Sequence, residues 1–422
     1  MTKNMMTNLF FDTCSLLDQA EFLDEWADNY NITISSITLK ELEMIKTAAN
    51  KDVDVKYAAR QILKFLLKYP DKINVYIYRE SMLDIIKQHD LEINNDAKIL
   101  ATAISYEKEN CPDNMGFVTS DVSLYNIANL FFGNDSIFIP EDPPDYQGFE
   151  EVILDDEHMA EFYSNPNINI FNLKVNEYLN IKNQEGQIVD TVVWTGDHYR
   201  PLKYSSLNSN YFGEVKPYKN DIYQAMLVDS LLNNKITMVK GPAGSGKTYL
   251  SLAYLLSQLD KGRIDKIIVF CNTVATKNSA RLGFYPGTRD EKLLDSQIGN
   301  LLSSKIGGRI EVERMVQEEK LVLLPMSDIR GYDTTGMRAG IYLSEAQNLD
   351  VSLMKLALQR IGEDSICIID GDSKTQVDDI SYAGSNNGMR RVSKIFAGHD
   401  IYGEVELQQI HRSRIAQIAE FM

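Results

Sequence analysis

The run Gly241, Pro242, Ala243, Gly244, Ser245, Gly246, Lys247, Thr248 constrains this 422-residue chain more than any other feature. It fits G-x-x-x-x-G-K-[ST], follows the apolar residues 236–239 and precedes the helix-like stretch 249–258. In that strand–loop–helix setting the glycines let backbone N–H groups curl around a β-phosphate. The helix start adds its positive end and Lys247 a point charge. Thr248 offers a hydroxyl to Mg2+. The expected ligand is ATP with Mg2+ (or Mn2+), and the fold that presents such a loop is a parallel α/β sheet.

The pattern around the loop agrees. Residues 237–240, 266–270, 321–324, 340–343 and 366–369 read as strands separated by helical stretches. Residues 216–422 therefore read as a P-loop NTPase (RecA-like) domain, a parallel sheet with flanking helices. Residues 7–132 show the same alternation, with strands at 8–11, 32–35 and 117–119 and helical spacing at 57–67 and 97–106. They read as a separate, doubly wound α/β domain. Between them lie Pro140-Glu-Asp-Pro-Pro144, a linker, and two apparent strands at 177–182 and 187–194 joined around Glu185-Gly186. Residues 133–215 thus read as linker and small β-rich insert.

The formal net charge is −17, but it is unevenly placed. Residues 1–215 hold 17 basic and 35 acidic side chains, and residues 216–422 hold 26 and 25. The nucleotide domain has room for a local basic path, and the amino-terminal half has carboxylates that can hold divalent cations. Most of those acids also suit a plain solvated surface. No apolar run approaches the ~18 residues that cross a bilayer. Met1 to Asn8 shows no apolar core or cleavage site, so no signal peptide is expected. Cys14, Cys111, Cys271 and Cys367 are scattered, against a zinc site or disulfide framework and in keeping with a cytoplasmic location.

Further candidates follow the loop. Gly340-Ile-Tyr-Leu-Ser-Glu-Ala-Gln-Asn348 is a strand that delivers Ser344 and Glu345 at its carboxyl end. Glu345 is placed there to orient or deprotonate an attacking water. Asp372 and Gln376 follow the strand 366–369 and are candidates for sensing the γ-phosphate or Mg2+; Asp372 also suits a simple turn. Gln224, on an apparent helix upstream of the loop, is a candidate reader of adenine, or a surface glutamine.

In the amino-terminal half, Asp12, Glu41, Asp96 and Asp121 lie at strand ends or in first helical turns. In a parallel sheet such positions converge on one rim. Carboxylates gathered there repel one another unless divalent cations sit between them, and hard cations such as Mg2+ or Mn2+ take oxygen ligands. Two metals so held can activate water against a phosphodiester. Singly, each acid has a local alternative. Thr38 and Glu41 fit a capping box, and Asp96 and Asp121 suit helix caps.

Two family resemblances rest on these residues. From about 216 to 420 the chain resembles the PhoH family of ATPases, whose core is like that of superfamily 1 helicases. It does so through the loop, Arg281-Leu-Gly-Phe-Tyr-Pro-Gly287 with Glu291-Lys292, Ile329-Arg-Gly331, Glu345-Ala-Gln-Asn348, Gly371-Asp372 with Gln376, and His411-Arg-Ser413. The resemblance implies ATP hydrolysis coupled to nucleic-acid handling in ring-forming subunits, assembled as hexamers. It implies too that Arg412 reaches a γ-phosphate, in a neighbouring subunit. The chain departs from the family at Ser344, where an aspartate normally holds Mg2+. Serine keeps an oxygen and loses the charge, and Asp372 is the candidate to compensate. From 7 to about 132 the chain resembles the PIN domain, a small nuclease fold, through Asp12-Thr-Cys, Leu39-Lys-Glu-Leu, Asp96-x-x-Ile-Leu and Thr119-Ser-Asp. Asp12, Glu41, Asp96 and Asp121 fall where that family places its metal-binding acids. The combination resembles PIN–PhoH fusions. It implies an ATP-dependent RNA-processing enzyme, a helicase-like motor joined to a metal-dependent endoribonuclease acting on RNA or another single-stranded nucleic acid. Two alternatives stay open: an ATP-gated switch or assembly platform with weak turnover, favoured by Ser344, and a DNA-directed nuclease-ATPase.

Overall fold

The computed structural model describes residues 7–48, 51, 53–89, 91–112, 114–133, 136–140, 145–271, 297–372 and 387–411. The chain divides into two compact units, with the main boundary between Pro144 and Asp145.

The first unit is built on five parallel strands, β1 (Asn8–Phe11), β2 (Asn31–Ser35), β3 (Ile73–Tyr76), β4 (Met115–Val118) and β5 (Ile137–Phe138), in the order β3-β2-β1-β4-β5. β1 is central, and after Asn8 it is apolar because both of its faces are covered. Leu9 and Phe11 enter one core with Leu16, Ile34 and Ile62, and Phe10 enters the other with Ile99, Ala103 and Phe117. The strands expected at 8–11, 32–35 and 117–119 are present, the last one beginning earlier, at Met115.

The second unit holds three sheets. β6 (Phe149–Ile153), β7 (Tyr178–Lys182), β8 (Ile188–Trp194) and β9 (Tyr199–Pro201) form a small sheet in that order, parallel only between β6 and β7. β10 (Leu207–Ser209) and β11 (Gly213–Val215) form a hairpin. The large sheet is wholly parallel: β12 (Ile236–Lys240), β13 (Lys266–Cys271), β14 (Leu321–Pro325), β15 (Ala339–Leu343), β16 (Ile366–Gly371) and β17 (Tyr402–Glu406), in the order β14-β13-β15-β16-β12-β17. Its strands are buried on both faces. Ile267, Val269, Tyr342 and Ile368 pack on the side of the helix Lys247–Asp260, while Ile268, Phe270, Ile341, Leu343 and Ile369 pack on the other.

The small sheet is fixed to this parallel core by polar as well as apolar contacts. Arg200 donates from both terminal nitrogens to Asp229, at 3.0 and 2.7 Å, on the helix Ile222–Asn233. The Tyr178 hydroxyl lies 3.0 Å from the same carboxylate. Asn176 donates to the Tyr402 carbonyl at 2.9 Å. A bidentate arginine on a buried aspartate fixes both position and angle.

Glu177 sits at this junction, buried, and accepts a hydrogen bond from the Lys174 N–H at 2.6 Å. Burial, aided by the charges of Glu150 and Glu404 and opposed by Lys174, pushes its carboxyl up from 4.5 to about 7. The folded state therefore favours the protonated acid. Its contribution is full below about 4.5 and is lost as pH rises through 7, a swing on the order of 3 kcal/mol. Glu177→Gln keeps the acceptor and removes the titration. Its stability relative to the unsubstituted protein should therefore rise from pH 5 to pH 8. Urea unfolding read from Trp194 fluorescence in a Trp26→Phe background measures this, and a difference that does not change with pH contradicts it.

Candidate functional site

The phosphate-binding loop leaves β12 at its carboxyl end and enters the helix Lys247–Asp260. Gly241, Gly244 and Gly246 have φ of 139°, 86° and 100°, values open to glycine and strained for other residues. At Gly241 a Cβ would also stand 2.6 Å from the Leu407 carbonyl oxygen. Lys247 is buried and donates to the Gly241 and Pro242 carbonyls at 2.6 and 3.0 Å. Ser245 donates to the Pro242 carbonyl at 2.9 Å, and Ala243 is half-buried in the same turn.

Helix Ile222–Asn233 braces the loop. Asp221 caps it by accepting from the Tyr223 and Gln224 N–H groups at 3.0 and 3.1 Å. Gln224 donates to the Ser245 carbonyl at 2.8 Å and accepts from the Tyr218 N–H at 2.7 Å. Its amide is thus joined to the loop backbone. His411 closes the bracket: its backbone N–H donates to the Gly244 carbonyl at 3.0 Å, and its ring pairs with Asp221 at 2.5 Å.

The carboxyl ends of β15 and β16 face the start of the loop helix. Thr248 donates to Asp370 at 2.9 Å, and Tyr342 donates to the same Asp370 oxygen. Burial raises the Asp370 carboxyl, with the Lys247 charge opposing. Ser344 is buried beside this group. Glu345 adopts a left-handed backbone, φ 53°, and accepts from Gln347 at 2.7 Å. Gln347 in turn accepts from the Asp372 N–H at 3.2 Å. The structure therefore brings Lys247, Thr248, Glu345 and Asp372 to one sheet edge. It adds Asp370, Tyr342 and Gln347, which the sequence reading did not single out. Asp370 had a signal, a carboxylate ending an apolar strand, but its partner lies 122 residues away. Gln376, Arg412, Ser413 and the stretch 281–292 lie outside the described residues.

In the first unit the four acids occupy the carboxyl edge of the sheet. Asp12 ends β1, is 2% exposed, and accepts from the Ser15 N–H at 2.7 Å and the Thr119 hydroxyl at 2.6 Å. Burial raises its carboxyl, with those bonds opposing and the Asp96 charge adding. Asp96 is raised by partial burial and then by the charges of Glu41 and Asp121. Glu41 accepts from Thr13 and, at 2.8 Å, from Asn95. Asp121 accepts from the Leu124 N–H at 2.8 Å, and its own N–H donates to Thr119.

Two of the local alternatives give way here. Thr38 and Glu41 do not form a capping box, because Ser35 caps the helix Ser36–Ile45 and both residues lie inside it. Asp96 is not a cap either, since Asn94 fills that role for the helix Asn95–Asn110. Asp12 and Asp121 do cap helices. Among the described residues no three acid, histidine or cysteine groups already stand at metal-ligating geometry. The donor set is all oxygen, and hard cations such as Mg2+ or Mn2+ fit it.

Comparison with known proteins assigns both units. The family described as PIN domain matches residues 9–131, and that described as PhoH-like protein matches residues 216–421. The chain joins a PIN domain to a PhoH-like domain. Protein PhoH2 of Bacillus subtilis is 27% identical over 353 residues, covering 78% of each chain. A PhoH-like protein of the same organism is 32% identical over 202 residues, 47% of this chain and 61% of that relative. Among solved structures, a crystal structure of VapBC2 from Rickettsia felis bound to a DNA fragment covers 29% of this chain and 94% of its own, at 21% identity and a TM-score of 0.21. Among the described residues no helix is long and apolar enough to cross a membrane.

Within the PhoH-like domain, Lys247 is the cation built into the loop. Lys247→Ala should weaken ATP binding roughly 10- to 100-fold, the loss of a charged contact worth ~1.5–3 kcal/mol. Calorimetric titration with ATP and Mg2+ checks it, and unchanged affinity would reject the loop as the phosphate site.

Proposed function

We propose that the chain is an ATP-dependent RNA-processing enzyme. Its PhoH-like domain hydrolyses ATP to bind and remodel single-stranded RNA, and its PIN domain cleaves the strand. The observation that carries the reading is the presence, in one chain, of a braced phosphate loop and a rim of acids in which burial and neighbouring carboxylates raise Asp12 and Asp96. Each is costly without a partner of opposite charge. A polyphosphate with its cation meets the first, and cations over a phosphodiester meet the second.

In the ATPase, Lys247 and the loop N–H groups hold the phosphates, and Thr248 offers its hydroxyl to Mg2+. Glu345, projecting from its strained backbone at the sheet edge, orients the attacking water. Asp372 and Gln376 respond to the γ-phosphate, and Gln224 sets the loop beside the base. In the PIN domain Asp12, Glu41, Asp96 and Asp121 hold Mg2+ or Mn2+, which when bound supplies an activated water and a counter-charge for the leaving oxygen. Asp12 is held in place by Ser15 and Thr119. The enzyme works in the cytoplasm as a homo-oligomer, a hexamer, in which Arg412 of one subunit completes the site of the next.

Asp12→Asn should abolish Mn2+-dependent cleavage of single-stranded RNA and leave ATP turnover intact. Cleavage that persists would remove the acidic rim as the nuclease site. Parallel assays on single-stranded DNA decide the substrate. A second reading, an ATP-gated switch with little turnover, is favoured by Ser344. Steady-state ATPase that stays near zero with and without RNA would establish it in place of the first.

The oligomer has its own test. Mixing Arg412→Ala with Lys247→Ala subunits should restore part of the ATPase, because one mixed interface joins an intact loop to an intact arginine. Such arginines contribute ~10³-fold or more in rate. An oligomer whose mixtures stay inactive places Arg412 within its own chain's site.

A further inference from the structure

Ser344 leaves the carboxyl end of β15 without a carboxylate on the side that faces the helix Lys247–Asp260, yet a carboxylate stands against Thr248. It comes from the neighbouring strand. β15 and β16 are parallel with Leu343 opposite Ile369, so Ser344 and Asp370 are the next residues along on adjacent chains. β16 lies between β15 and β12, and Asp370 is opposite Val239, two residues before the loop. Ile368 and Tyr342 pack on the side of the helix Lys247–Asp260, so the two-residue period puts Asp370 and Ser344 on that same side. There Asp370, 3% exposed, accepts from Thr248 at 2.9 Å and from Tyr342. A threonine hydroxyl has one proton and two lone pairs. With its proton committed to Asp370, Thr248 can only present lone pairs elsewhere, which is the orientation a cation needs.

We infer that Asp370 is this chain's magnesium carboxylate, acting on Thr248 and the cation's water shell from β16 in place of the absent acid at position 344. The inference rests on the loop being a site for nucleotide with Mg2+. Asp372, two residues on, is tied through its N–H to Gln347 and so to Glu345, on the hydrolytic side of the site. Asp370 also explains why position 344 is not acidic. A second carboxylate there would face Asp370 across one strand spacing, ~4.8 Å, in a buried place. Ser344→Asp alone should therefore weaken, not improve, the site.

The test is equilibrium binding of a fluorescent ADP analogue to the full chain, in Mg2+ and in EDTA. The unsubstituted protein should bind more tightly in Mg2+. Asp370→Asn should lose roughly 10- to 100-fold of that Mg2+-dependent tightening. The double variant Ser344→Asp/Asp370→Ser, which moves the charge back one strand, should regain most of it. Asp370→Asn with the full Mg2+ effect overturns the inference. Should Asp370→Asn fail to fold, the double variant decides: Mg2+-tightened binding supports the exchange of strands, and its absence overturns it. Failure of the unsubstituted protein to bind in either condition is a different result. It removes the nucleotide site itself, and the assignment of Asp370 with it.

Discussion

A parallel sheet buried on both faces leaves a charged side chain one comfortable place, the carboxyl edge, where loops open and helices begin. Both large sheets of this chain obey that constraint. The interiors of β1 and β4 carry no polar side chain, β15 carries only the Tyr342 hydroxyl, and Asp12, Ser344 and Glu345 appear where the strands stop. One charge that does enter the large sheet is matched by another. Lys240, the last residue of β12, pairs with Glu404 of β17 at 2.6 Å, and Glu404 also accepts from Ser393 and Tyr402. Breaking such a buried pair from one side leaves the other charge stranded and typically costs 3–5 kcal/mol.

The same edge must then be stiffened, because a loop of glycines has little stiffness of its own. The stiffness comes from polar groups behind the loop. Asp221 caps the helix that carries Gln224, Gln224 grips Ser245, and His411 joins Asp221 to Gly244. Residues from before, within and after the motif therefore define one loop conformation. Preorganised N–H groups lose nothing to reorganisation when an anion arrives, which is the physical basis of their value at phosphate sites. In the PIN domain the device is smaller. Ser15 and Thr119 fix Asp12, Asp96 and Asp121 stand at helix starts, and Glu41 projects from inside the helix Ser36–Ile45.

Much of this was legible in the sequence because it depends on local pattern. The glycine motif, the apolar runs of β12 to β16 and the strand-end acids are all short-range signals. β17 was missed for a definable reason: Tyr-Gly-Glu-Val-Glu reads as polar, and its burial depends on Lys240, more than 150 residues away. β3 was missed because four residues between two helices give too short a run to show a period. Strand order left no trace in the sequence at all. That is why the compensation for Ser344 was sought at Asp372, which follows glycine as loop residues do, and not at Asp370, which looked like the polite end of an apolar strand.

Seen from the sheet edge, what the site has to conserve is a charge balance rather than a residue position. Lys247 and the helix start bring positive charge to Thr248, and one buried carboxylate offsets it. With none, the hydroxyl proton has no strong acceptor. With two, each carboxylate would raise the other's proton affinity and one would go neutral. Because β15 and β16 run parallel and in register, either strand can deliver the single acid to the same side of the sheet. The tyrosine at 342 then fills the space on the strand that does not, and donates its hydroxyl to the strand that does. Serine at 344 and aspartate at 370 are, on this account, one substitution seen on two strands, and neither can be understood without the other.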